Sequence, residues 1–148
     1  EQGNLDILME NMGRVNYGSE IELQKKGITH GVLVNGTFHM GWDMYPLPLE
    51  DISKVDFARD YEEGMPAFYK FTFDARETGD TFLDVTGFGK GCVFVNGKNI
   101  GRFWEAGPQR RLYIPGPLLR EGTNEIILFE TDGKAVETIC LMDTPDLG

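Results

Sequence analysis

Four acidic positions invite a search for paired-carboxylate chemistry: the adjacent Glu62 and Glu63, and Asp80 and Asp84 around one apolar stretch. Cleaving a glycosidic bond needs two carboxyl groups facing each other, about 5 Å apart for retention and roughly 6.5–9.5 Å for inversion. Neighbouring side chains on a loop diverge, so Glu62 and Glu63 do not make such a pair. Asp80 and Asp84 read as turn or edge residues of one strand. The only histidines, His30 and His39, flank an Asn-Gly turn closely enough for cross-strand proximity. Two histidines without a Cys-x-x-Cys or His-Glu-x-x-His pattern do not make a zinc site. No Gly-x-Ser-x-Gly nucleophile elbow occurs. Gly87 and Gly89 precede a strand pattern rather than a helix, so no phosphate loop is expected. No dense Asp/Asn set marks a calcium site. Neither a metal nor a cofactor is expected.

Binding is the better prospect. Rings with one apolar face are gripped by aromatic side chains, with polar groups for the hydroxyls. Tyr17, Trp42, Tyr45, Phe103 and Trp104 all fall near turns. Trp42, Arg102 and Trp104 are the candidate carbohydrate contacts. Packing at a corner is the competing role for both tryptophans and for Phe103, and Arg102 could instead hold the loop carrying Gly107, Pro108 and Gln109.

These residues are carried by strands. Asn96-Gly97 sits between apolar segments and predicts a type I′ hairpin, whose two central residues need positive φ. Asn35-Gly36 predicts a second one. Further strands are expected over Leu5–Glu10, Glu20–Leu23, Met40–Met44, Ala67–Phe73, Asp80–Val85, Arg110–Ile114 and Val136–Met142. Four successive apolar residues, Ile126 to Phe129, predict a central strand covered on both faces. Leu49, Ile52 and Val55, three apart, mark a short helical turn, as do Pro117 to Leu119. Glu121 to Asn124 reads as a turn. Nine to eleven short strands with almost no helix make an all-β, antiparallel β-sandwich or jelly roll. Residues 1–18 are expected to be a leading strand and connector from a preceding β-domain, with 19–148 forming the sandwich.

The 148 residues carry 41% hydrophobic and 11% aromatic side chains, enough for a core, and a formal charge of −10. That charge argues against nucleic acid or an anionic membrane as partner. No apolar run reaches the ~18 residues of a membrane span. The two cysteines, Cys92 and Cys140, read as buried free thiols rather than a disulfide framework. The chain opens on Glu1 rather than Met and meets a strand pattern almost at once, the expectation for a fragment whose start hides its compartment.

Taken in order, several blocks resemble the terminal β-sandwich of family 35 glycoside hydrolases, the β-galactosidases. They are Glu10 to Gly18, Pro66 to Tyr69, Lys90-Gly91 with Val95 to Gly97, Asn99 to Trp104, Gly107 to Gln109, Leu112 to Pro115, and Leu118-Leu119. The resemblance runs from about Leu5 to about Glu130. It implies a galactose-binding-like fold that follows a (β/α)₈ barrel and a further β-domain in the parent enzyme. The barrel's two catalytic glutamates match no residue here. The family reading makes this chain a non-catalytic, accessory part of a retaining β-galactosidase, with the barrel and the adjacent β-domain as its partners. It places Arg14, Asn16 and Tyr17 on a loop near the aglycone side of the site. The alternative is an autonomous module for galactose-containing glycans. Apolar surface covered in the parent would make the isolated chain self-associate into homo-oligomers.

Overall fold

The computed structural model describes residues 3–11, 13 and 15–148. It divides into two compact units, Glu1–Leu47 and Pro48–Gly148. The sequence placed a boundary after residue 18; the units instead divide between Leu47 and Pro48, because the first hairpin pairs only with itself.

In the first unit that hairpin joins β1 (Val32–Val34) to β2 (Thr37–His39), with Leu33 opposite Phe38. Asn35 and Gly36 turn it at φ 51° and 79°, as expected for the Asn-Gly pair. Three other expected elements differ. Leu5–Glu10 and Met40–Met44 form no strand, and Glu20–Leu23 gives a 3-10 turn over Ile21–Leu23. Alternation fixes which side chains share a face, but a strand also needs a neighbour for its N–H and C=O groups. Among its described residues none is buried.

The second unit is a β-sandwich. One sheet has four strands in the order β3 (Ala67–Ala75), β8 (Gly122–Glu130), β5 (Lys90–Val95), β6 (Lys98–Trp104). The other has three, in the order β7 (Arg111–Ile114), β4 (Thr81–Asp84), β9 (Cys140–Met142). All pairings are antiparallel. The all-β antiparallel sandwich expected from the sequence is the fold observed. Strand alternation sends Val93, Val95, Phe103, Ile126 and Leu128 inward from the larger sheet to meet Leu83, Leu112 and Ile114 from the smaller one. On the outer side of the larger sheet, Phe94 and Ile127 are covered by Ile52, in a 3-10 turn over Ile52–Lys54, with Leu49, Val55 and Phe57. β8 is therefore buried on both faces, as its unbroken apolar run required.

Glu121–Asn124, expected as a turn, instead extends β8, whose Gly122, Thr123 and Asn124 pair with Ala75, Asp74 and Phe73. The last strand shrinks from Val136–Met142 to Cys140–Met142. Cys92 and Cys140 lie on different sheets and form no disulfide, and Cys92 is half-buried. Cys140 is exposed rather than buried, since its strand lies at a sheet edge.

Two places show why this sequence needs its small or polar residues. Any side chain at Gly91 would put its Cβ 1.7 Å from the Phe129 carbonyl oxygen, so only glycine lets β5 lie this close to β8. Glu130 is fully buried, and its carboxylate accepts hydrogen bonds from three backbone N–H groups: Lys90 at 3.0 Å, Asp132 at 3.2 Å and Lys134 at 2.6 Å. Those three donors give the buried charge the partners it would otherwise find in water.

Candidate functional site

The second hairpin sets out the first group of candidates. Asn96 and Gly97 turn it at φ 47° and 78°. A register shift at Val93/Phe94 then lets β6 continue, with the Gly101 amide donating to Asn99 Oδ1 at 2.8 Å. From there alternation sends Phe103 into the core, edge-on to Phe88 with ring centroids 5.8 Å apart. Arg102 and Trp104 point to the opposite, outer face. Arg102 lies opposite Cys92, Cys92 opposite Phe129, and Phe129 opposite Phe68, whose ring stacks on it at 4.1 Å. A row of two rings, a thiol and a guanidinium thus crosses the sheet, with Trp104 opposite Lys90 beside it. The Trp104 side chain keeps half its surface exposed.

The loop after Trp104 is held by the Gly107 amide donating to the Trp104 carbonyl and by Gln109 Nε2 donating to the Arg111 carbonyl. Arg111 pairs with Asp84 at 3.3 Å and donates to Thr144.

The remaining candidates belong to the first unit. Trp42 donates its indole N–H to the His39 carbonyl at 2.8 Å, which fixes the ring while leaving about 38% of it exposed. Asn16 and Tyr17 lie in a bend, with Tyr17 92% exposed. Just before them the Val15 amide donates to Gln24 Oε1. Arg14 lies outside the described residues. Asn16 is thus next to Tyr17 in the first unit's bend, and Arg102 lies with Trp104 on one face of β6 in the second unit. His39 lies opposite Val32, and His30 Nδ1 sits 2.9 Å from Thr29 Oγ1, so the turn does not pair the histidines.

The acids do not form a catalytic pair. Asp80 and Asp84 are separated along β4 by about 13 Å of extended chain. The Gly116 amide, then the Tyr113 hydroxyl, donate to Asp80 and lower its pKa. Burial pushes the Asp84 carboxyl up, but hydrogen bonds from Thr86 and Arg111 outweigh it and leave the pKa lowered. A general acid at neutral pH needs the opposite shift. Among the described residues no group of three or more His, Cys, Asp or Glu could hold a metal ion.

Two shallow clefts occur in the sandwich. One of about 300 Å³ is lined by Phe73, Glu77, Asp80, Thr81, Leu119 and Leu141. The other, of about 320 Å³, lies between residues 50–57 and the outer sheet face. There Lys70 pairs with Glu125 at 2.5 Å and sits over the Phe57 ring, while Asp51 accepts from the Ser53 amide and hydroxyl. Those polar groups are matched to one another.

Sequence reasoning missed a network that holds the hairpin turn. Asn96 Nδ2 donates to the Leu118 carbonyl at 2.8 Å and to Asn124 Oδ1 at 2.9 Å, and the Glu125 amide donates to Asn96 Oδ1 at 3.0 Å. Asn124, fully buried, donates to the Arg120 and Gly122 carbonyls. The available signal was Asn124 just before the apolar run Ile126 to Phe129.

This sandwich, with an aromatic and a guanidinium side by side on an outer face, belongs to the galactose-binding-like class of all-β domains. Residues 66–124 match the β-galactosidase galactose-binding domain, and residues 1–48 match the β-galactosidase first all-β domain. The chain belongs to these β-galactosidase domain families. It is 47% identical to beta-galactosidase 1 of Dictyostelium discoideum over 138 residues, covering 86% of this chain and 20% of that protein. It is 38% identical to the human beta-galactosidase-1-like protein 2, covering 97% of this chain and 24% of that protein. A Xanthomonas manihotis β-galactosidase is 37% identical over 76% of the chain and 19% of its own length. The chain thus spans about a fifth to a quarter of the curated relatives it matches.

Proposed function

We propose that this chain is a non-catalytic part of a β-galactosidase that removes terminal β-linked galactose by a retaining double displacement. Its role is to pack against the catalytic barrel and the adjacent β-domain and to shape the aglycone side of the site. The observation that carries this reading is the first unit's surface. Tyr17, Met40, Met44 and Tyr45 are each at least 80% exposed, and among its described residues none is buried. Apolar surface of this density marks a face that works against a partner. In this reading Arg14, Asn16 and Tyr17 stand near the aglycone, and Tyr17 contributes only when the barrel is present.

The test is hydrolysis of a nitrophenyl β-galactoside. The pure chain is expected to show none. Adding it to the separately produced remainder of a parent enzyme should restore turnover, and Tyr17→Ala should then raise KM. Turnover by the chain alone would overturn the reading.

The outward Trp104 beside Arg102 favours a second reading, an autonomous module for galactose-containing glycans. An NMR titration with galactose and lactose separates the two. Saturable shifts on β6, lost in Trp104→Ala, support the module, and a flat titration of the folded chain leaves the packing role.

A further inference from the structure

The chain closes two hairpins with the same pair of residues, and that pair is chemically reactive. In an Asn-Gly sequence the glycine nitrogen can attack the asparagine side-chain carbonyl carbon, unhindered by any Cβ. A bond forms between that nitrogen and Cγ, and the Cγ–Nδ2 bond breaks. The side-chain nitrogen leaves as ammonia with the amide proton, and a succinimide ring remains. Water opens the ring at either carbonyl to give aspartate or isoaspartate. Water is consumed and ammonia released, and no oxidant or reductant takes part.

The two sites are matched in everything but their surroundings. The local sequences are Val34-Asn35-Gly36 and Val95-Asn96-Gly97. Their backbones agree, at φ 51° and 79° for the first pair and 47° and 78° for the second. The attack requires the asparagine side chain to swing onto the next nitrogen. At Asn96 that movement breaks three hydrogen bonds, to Leu118, Asn124 and the Glu125 amide. The Asn96 amide is also tied to the Glu125 carbonyl at 2.9 Å, inside a four-stranded sheet. Asn35 is exposed, and none of the hydrogen bonds among the described residues involves its side chain. Its hairpin is a two-stranded sheet of three residue pairs. Such a ribbon is marginal in water and opens readily.

We propose that Asn35 is a site of spontaneous modification, converting through a succinimide to isoaspartate and aspartate with water as co-reactant, while the same chemistry is suppressed at Asn96. Either product places a new negative charge at the hairpin tip. Isoaspartate also inserts a methylene into the backbone, which removes the type I′ geometry and the register it sets. The inference is independent of the functional reading above.

The test ages the 148-residue chain in mildly alkaline buffer and follows both sites by peptide mapping, with isoaspartate scored by enzymatic methyl acceptance. A parallel sample in concentrated urea supplies the intrinsic rates. In urea the two asparagines should convert at similar rates, since their neighbours match. In the native chain Asn35 should convert faster than Asn96 by about tenfold or more, a factor equivalent to ~1.4 kcal/mol, within what three hydrogen bonds supply. A native ratio equal to the urea ratio would overturn the proposal. So would native resistance of Asn35, or conversion of Asn96 ahead of it.

Discussion

The first and second units begin from similar instructions and end differently. Each contains an Asn-Gly hairpin with nearly the same backbone angles. In the second unit the hairpin joins two more strands, and Val93, Phe94 and Val95 are all buried. In the first it stands alone, with Leu33 and Phe38 more than half exposed. Turn chemistry forms a hairpin, but only packing against further layers turns it into a core. The first unit has the apolar side chains for a core but not the layer that would cover them. That contrast is the observation on which the proposed packing role rests.

The comparison is broken most severely at Gly91. Replacing it with valine drives a side chain into the Phe129 carbonyl and should prevent the sandwich from folding, a loss above about 4 kcal/mol. Circular dichroism should show the native β-signal gone. Next comes Asn124→Ala, which removes one of the three partners of the Asn96 side chain and leaves the Arg120 amide unsatisfied. A drop of about 2–4 kcal/mol is expected in urea unfolding, from several buried polar groups at about 1–3 kcal/mol each. A loss under half of that would mean water replaces the network.

A smaller effect is expected from Asp84→Asn, about 1–2 kcal/mol at neutral pH, through the Arg111 and Thr86 contacts. The folded Asp84 pKa lies below its ordinary value. Its contribution is therefore complete above about pH 4 and is lost as pH falls through the folded value. The wild type should lose stability over that acidic window, and the variant should lose less. Parallel pH profiles would remove Asp84 from the account. The smallest effect belongs to the first unit. Met40→Ser with Met44→Ser should change sandwich stability by no more than about 0.5 kcal/mol while reducing self-association, read by sedimentation.

Much of the fold was legible where its signals are local or unambiguous. Asn35-Gly36 and Asn96-Gly97 demand positive φ wherever they fall, so both turns were readable. The run from Ile126 to Phe129 has no polar side to show, which placed β8 in the middle of a sheet. Leu5–Glu10 carried a comparable periodicity and formed no strand, because alternation is blind to whether a neighbour exists. Glu130 was not legible as a core residue. A carboxylate at a strand end reads as solvated, and its three amide donors come from the start of β5 and from the segment just after β8. The outward placement of Arg102 with Trp104 was not read from the sequence; the structure sets Phe103 between them into the core. The aromatic row through Phe129 and Phe68 needed the register of three strand pairings.

The middle position of β8 also governs the order in which this protein can assemble during synthesis. Among the described residues β3 pairs only with β8, although about fifty-five residues separate Phe71 from its partner Ile126. As the polypeptide leaves the ribosome, β3 and the hairpin of β5 and β6 emerge well before the strand that joins them. Until then each presents an open edge to other nascent chains. Such long-range pairing is slow, and the sandwich closes only when the smaller sheet receives its last strand at Cys140–Met142. Closure of the sandwich is thus deferred until both β8 and Cys140–Met142 have emerged, and losing either one leaves earlier strands with open edges.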